Sequence, residues 1–287
     1  MRFKKVAKVL STMALCVALG VSVVGCGGGG KAPASSGGSA KLSGTVALNG
    51  STSMEKVVGI GSEKFMKDHE GVTVTYDATG SGTGVAAAKN GTCDIGLASR
   101  ALKDSEKKDG LKETTVAIDG IAIIVNEKSP VKNLSMKDIS NLYTGAVTDW
   151  SAVGGSGTVA AIGREAGSGT RDGFESITKT KEKCKMSQEL TSTGAVIEAV
   201  RNNENAIGYA SYASVVGQKG IRAVSVDGVE CTEENIKNGT YAVKRPFNFI
   251  TKESAKLSAP AQAFYDFMIS PDAAELIKKA GAVPVAK

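Results

Sequence analysis

Histidine is almost absent: His69 is the single one among 287 residues. That excludes a metal centre built from several histidines and leaves one imidazole for any catalytic triad. His69 lies in Lys67-Asp68-His69-Glu70-Gly71, where a helix end and its dipole would suit it. Cysteine is scarce, at five residues, and no Cys-x-x-Cys pair occurs, so metal or dithiol redox chemistry lacks its usual spacing. After the first 25 residues nothing approaches the roughly 18 apolar residues of a bilayer-spanning helix. The loop G-x-x-x-x-G-K-[ST] is missing, and no G-x-G-x-x-G follows a strand with an acid downstream, so nucleotide and dinucleotide sites are unsupported. Disorder is excluded too, because 41% hydrophobic and 22% charged residues match a globular composition. The length suits one large or two medium domains.

The net charge of +6 invites a nucleic-acid partner, but its location decides the matter. Residues 1–25 hold Arg2, Lys4, Lys5 and Lys8 and no acid, followed by an apolar run from Val9 to Val24. This is the pattern of a secretory signal peptide. Val23-Val24-Gly25-Cys26 resembles a bacterial lipobox, which implies cleavage before Cys26 and acylation of its thiol. Residues 26–41 are rich in Gly, Ser, Ala and Pro, a flexible tether with a root-mean-square reach of roughly 20 Å. Without residues 1–25 the chain carries 31 basic and 29 acidic residues, a net +2. No basic cluster interleaved with aromatics remains, so no nucleic-acid partner is expected.

Glycine is abundant, at 35 residues, and its placement carries the chemistry. Strand-like runs at 42–48, 72–76, 95–99, 116–125, 159–162 and 206–210 alternate with helix-like runs from Met54, at 85–88, after Ser135, at 170–177, 194–201, 260–269 and 272–280, which gives an α/β class. Residues 230–238 suggest a surface turn and short helix. Three times a strand ends in a Gly/Ser/Thr loop that opens a helix: Gly50-Ser51-Thr52-Ser53, Thr79-Gly80-Ser81-Gly82-Thr83-Gly84, and Gly167-Ser168-Gly169-Thr170. Helix N-termini offer unpaired N–H groups and partial positive charge, glycine allows close approach, and hydroxyls add donors. Such loops form an anion site. Taken singly, each Ser or Thr could equally be a helix cap. Arg164, just before the third loop, adds a guanidinium fork that suits a tetrahedral oxyanion.

The phrases GSTSMEKVV (50–58), TGSGTGVAA (79–87), DIGLASRAL (94–102), NLYTGAVTDW (141–150), GREAGSGTRDGFE (163–175), AIGYAS (206–211) and SPDAAELIKKAGAVPV (270–285), in this order, make residues 42–287 resemble the phosphate-binding lipoproteins of bacterial ABC transporters. The resemblance implies a two-lobed periplasmic-binding-protein-like fold with the ligand between lobes. One lobe would be 42–117 with 246–287, the other 118–245. It implies phosphate ligands Ser51, Thr52, Ser53 and Ser81 on the first lobe, and Arg164, Ser168, Gly169 and Thr170 on the second. Many members carry an aspartate, an acceptor for protonated phosphate, where this chain has Arg100, which cannot accept. Arg100 either contacts the anion as a second cation or turns away into an ion pair. The acceptor is then expected among Glu55, Asp77 and Glu165, and selectivity against sulfate or molybdate is left open. The resemblance further implies an ABC permease and its ATPase as partners, membrane attachment through Cys26 alone, a monomer, and neither metal nor cofactor.

Two competing readings remain. Ser53-Met54-Glu55-Lys56 matches the S-x-x-K of penicillin-interacting enzymes, but no S-D-N or K-T-G accompanies it, and Ser105-Glu106-Lys107-Lys108 repeats the pattern in a solvated stretch. A sensing or adhesion protein with a vestigial cleft would not need the three loops. Of the cysteines left after Cys16 and Cys26, Cys184 and Cys231 are the expected disulfide pair, because Cys93 sits in an apolar run. Trp150 is expected to pack rather than to touch ligand.

Overall fold

The computed structural model describes residues 41–285. The signal segment, Cys26 and the tether up to Ala40 lie outside the described residues. The chain runs β1 (Ser43–Gly50), α1 (Glu55–Asp68), β2 (Gly71–Asp77), α2 (Ser81–Asn90), β3 (Ile95–Ala98) and α3 (Asp104–Lys108) into the long strand β4 (Leu111–Asn126). It continues through β5 (Asn133–Leu134), α4 (Met136–Thr144), β6 (Ala160–Arg164), α5 (Gly169–Thr178), β7 (Gln188–Leu190), α6 (Thr193–Arg201), β8 (Ala206–Ser211), α7 (Tyr212–Val215), β9 (Ile221–Ala223), β10 (Ser225–Val226) and α8 (Glu233–Asn238). The last stretch comprises β11 (Lys244–Lys252), α9 (Ala259–Met268), α10 (Ala274–Lys279) and β12 (Val283–Pro284).

One sheet has the order β2-β1-β3-β11-β4-β8-β6-β7, with β9 and β12 also on β4. Its two flanks are parallel, β2-β1-β3 and β8-β6-β7, as βαβ units require. The centre is antiparallel. β4 pairs with β11 from Leu111 to Gly120 and with β8 from Ile121 to Val125. Being buried on both faces, Ile121–Val125 reads as one unbroken apolar run.

Two large hydrophobic cores form, besides a small cluster of Val85, Ala88, Ala98, Leu102, Leu111 and Ile250. One gathers Val46, Leu48, Phe65, Leu97, Phe249 and Phe264, the other Ile121–Val125, Tyr143, Phe174, Ile207 and Tyr209. They part on β4 between Ala117 and Ile121 and ahead of Phe247 on β11. β11 is not among the strand-like runs expected from the sequence. Its sequence KRPFNFITK hides its strand character behind Pro246 and charged ends, although Phe247 to Ile250 are buried.

The expected Cys184–Cys231 disulfide is not formed. Among the described residues Cys93, Cys184 and Cys231 are free. Cys184 Sγ turns onto Thr180 Oγ1 at 3.3 Å. Cys231 is buried against β4, its Sγ 2.8 Å from where a Cβ on Gly120 would stand. Burial pushes its thiol well above the usual range, which leaves it inert. Trp150 packs in the second core, its ring N–H donating to the Asn205 carbonyl at 2.8 Å. His69 ends α1 and lies against Phe65, ring centroids 4.5 Å apart.

Candidate functional site

The three Gly/Ser/Thr loops converge. Thr52 and Ser53 form a short helical turn after β1, Ser81 opens α2, and Ser168 caps α5 by accepting the Arg171 N–H at 3.3 Å. Gly169 and Thr170 are the first residues of α5, where N–H groups lack intrahelical partners. Glycine is required at 169, since a Cβ there would stand 2.4 Å from Ser81 Oγ and 2.8 Å from Ser99 Oγ. The second loop touches the third directly, the Gly82 N–H donating to the Gly167 carbonyl at 2.9 Å.

At the meeting point lies a buried cluster of hydroxyls. Ser53 Oγ is 2.8 Å from Thr170 Oγ1 and 3.1 Å from Thr193 Oγ1, which is itself 3.1 Å from Thr52 Oγ1. Beside it Ser81 Oγ accepts the Ser99 N–H at 3.0 Å and lies 3.2 Å from Ser99 Oγ. Arg164, only 1% exposed, enters from the end of β6. Its Nη1 donates to Thr52 Oγ1 at 3.0 Å and Thr193 Oγ1 at 3.3 Å. Its Nε and Nη2 hold the Glu165 carboxylate at 3.1 and 2.9 Å and the carbonyls of Leu190 and Thr191.

The expected residues Thr52, Ser53, Ser81, Arg164, Gly169 and Thr170 are thus brought together. Ser168 is buried and serves as a cap. Ser51 is buried too, but its N–H pairs with Leu97 O at 2.9 Å and its carbonyl accepts the Tyr76 hydroxyl. Arg100 goes elsewhere. Its Nη1 and Nη2 grip Glu106, both at 2.8 Å, and its Nε lies 2.9 Å from Asp172 Oδ2, an ion-pair contact without hydrogen-bond alignment. Burial alone would lower its pKa, but Glu106 and Asp172 outweigh that and raise it. Of the three acceptor candidates, Glu165 stands on Arg164, while Glu55 and Asp77 are exposed. A cavity of about 400 Å³ flanks the cluster, lined by Arg100, Lys103, Asp172, Lys181, Lys244 and Arg245.

Thr193, Ser99, Arg245 and Asp119 were missed from the sequence. Arg245 on β11 faces Asp119 on β4 in register, with Nη2 and Oδ2 3.0 Å apart and the side chains 2% and 0% exposed. Burial raises the Asp119 pKa and lowers that of Arg245, each against the pull of the other charge. Asp119 had a legible signal: it is a lone charge inside VAIDGIAIIV, and a buried charge needs a partner.

Hydroxyls and a guanidinium gathered in this way are suited to donate hydrogen bonds to a small multivalent anion. Ser53 and Lys56 do not form a nucleophile–base pair, because Lys56 Nζ donates to the Ala213 carbonyl at 3.1 Å. Among the described residues no group of His, Cys, Asp or Glu could hold a metal ion, and no helix is long and apolar enough to cross a membrane.

Comparison with known proteins identifies the family and the fold. Residues 35–272 match the family model described as a PBP superfamily domain. A phosphate-binding protein PstS of Staphylococcus saprophyticus is 32% identical over 269 residues, 88% of this chain and 82% of that one. The crystal structure of a putative phosphate ABC transporter substrate-binding protein with bound phosphate from Clostridium perfringens superposes with a TM-score of 0.80 at 38% identity, covering 84% of this chain and all of that one. An ABC-type phosphate transport receptor from Vibrio cholerae follows at TM-score 0.69 and 31% identity, again over 84% of this chain. The α/β architecture is therefore the periplasmic-binding-protein-like one, and the chain belongs to the PBP superfamily, in the family of the phosphate-binding proteins PstS.

Proposed function

We propose that this chain is an extracytoplasmic receptor that binds inorganic phosphate between two lobes and delivers it to an ABC permease with its ATPase. The observation that carries this is the buried hydroxyl cluster of Thr52, Ser53, Thr170 and Thr193 on Arg164. Its groups come from loops far apart in sequence, and a dry site strengthens each hydrogen bond to an anion. The phosphate bound in the Clostridium perfringens relative supports the choice of ligand.

The ligand set is Thr52, Ser53, Ser81, Arg164, Gly169 and Thr170; Ser51 stands beside it with its backbone paired to Leu97 and Tyr76, and Ser168 caps α5. Arg100 stands outside it, as a tie between the loop after β3 and α5. The parting of the two cores supports lobes of 42–117 with 246–287 and of 118–245. The signal pattern at 1–25, the lipobox at Cys26 and the Gly/Ser-rich tether support anchoring by lipid at the outer face of the cell membrane, and docking on a permease suits a monomer. The role is binding and transfer, without a catalytic step.

Calorimetric titration with phosphate and with sulfate across pH tests this. Micromolar or tighter phosphate binding is expected. Binding of sulfate or molybdate alone would keep an oxyanion receptor and overturn the phosphate assignment.

A further inference from the structure

The cavity of about 400 Å³ beside the hydroxyl cluster takes no part in the ligand set above. It is larger than one phosphate fills and falls in the range of small-molecule pockets. Its walls are the loop after β3, one side of α5 with the turn beyond it, and the start of β11.

Five cations and two carboxylates line it, and most of this charge is neutralised locally. Arg100 is held by Glu106, Arg245 by Asp119, and Glu175 by Arg171. Asp172 lies between Arg100 and Lys103, at 2.9 and 3.7 Å. Lys181 and Lys244 make no ion pair among the described residues; Lys244 Nζ donates only to the Ile236 carbonyl, at 3.1 Å, and Lys181 is exposed. Two positive charges on long flexible stems are left over at this one cavity, which matches the dianionic phosphoryl group of a phosphate monoester.

A second observation comes from the buried part of the wall. Arg100 is 7% exposed, and its Nε is a buried donor without a hydrogen-bond acceptor. Its neighbour Asp172 Oδ2 is a buried acceptor without a donor, because the two face each other out of alignment. Unmet buried polar atoms are few in a folded protein. One alcohol hydroxyl, which both donates and accepts, satisfies the two together.

We propose that this cavity is a second binding site, for a hydroxylated phosphate monoester of the glycerol-phosphate or sugar-phosphate class. Lys181 and Lys244 take the phosphoryl group, and Arg100 Nε and Asp172 Oδ2 take a hydroxyl. The site is separate from the hydroxyl cluster, although Arg245 borders both, its Nη1 donating to Thr170 Oγ1 at 2.7 Å. It stands independently of the phosphate assignment.

The test is calorimetry on the purified protein, with just enough inorganic phosphate present to fill the hydroxyl cluster and glycerol 3-phosphate as the probe. One equivalent should bind, at about 1 mM or tighter. Lys181→Gln/Lys244→Gln should weaken it about tenfold, the size of two partly exposed charged contacts, while phosphate affinity stays within about twofold because the two sites are independent. Lys181→Gln alone, at an exposed position, should weaken it about threefold and decides the matter if the double variant does not fold. Methyl phosphate, with the same charge and no hydroxyl, should bind about fivefold more weakly, the size of one hydrogen bond. No binding by the native chain, binding only when phosphate is withheld, or equal affinities in the native chain and the lysine variants would overturn the site. Methyl phosphate binding as tightly as glycerol 3-phosphate would overturn its assigned class. A chain that binds the ester in this way but no phosphate would overturn the proposed function alone.

Discussion

Arg164 and Arg100 are both buried, the first at the end of β6 and the second two residues past the end of β3, yet their neighbours give them opposite surroundings. Arg164 meets a single carboxylate, and its Nη1 is left to hydroxyls. Arg100 meets two, Glu106 and Asp172, and spends Nη1, Nη2 and Nε on them. The first gives Nη1 to the hydroxyl cluster, and the second is a neutralised tie. Which arginine turns to the hydroxyls is thus set by the acid count around it, a quantity fixed by tertiary packing.

The largest effect is expected from Arg164→Ala, which should weaken phosphate binding at least about a hundredfold in a calorimetric titration, because charged hydrogen bonds in a buried site are lost together. Arg100→Met should leave affinity within about threefold but lower stability by about 1–3 kcal/mol in urea unfolding, less than a fully buried pair because Asp172 is partly exposed.

Glu106 gives a smaller, pH-dependent signal. Burial raises its pKa, but the hydrogen bonds from Arg100 and the Lys103 N–H prevail and hold the carboxyl below the usual range. A depressed carboxylate stabilises fully above its unfolded pKa of about 4.3, and the contribution is lost as pH falls through the lower folded value. Glu106→Gln should therefore be less stable than the native chain at neutral pH, and the gap should close in strong acid. The smallest effect is none at all: with Cys93, Cys184 and Cys231 free, a reducing agent should leave the melting temperature unchanged.

Much of this was legible in the sequence, and for a physical reason. Helix starts betray themselves locally: Ser135 and Ser168 cap α4 and α5, and Gly169 permits the close approach to Ser81. The loops, the α/β alternation and Arg164 are all short-range patterns. Arg245 and Asp119 were not read, because their meeting depends on the register of β4 against β11, strands separated by the whole second core. Thr193 escaped because only tertiary packing brings it, the first residue of α6, to Thr52 and Ser53. The cysteine pairing failed because the apolar run around Cys93 says nothing about where the other two thiols point. Arg100 was left between two roles until Glu106, six residues on, was seen to take it.

The most direct test of the central claim is a crystal structure of this protein with phosphate. The account predicts phosphate oxygens within hydrogen-bond reach of Arg164 Nη1, Ser53 and Thr170, with Arg100 still on Glu106 and Asp172. An Arg100 guanidinium turned from those carboxylates onto the anion would contradict it.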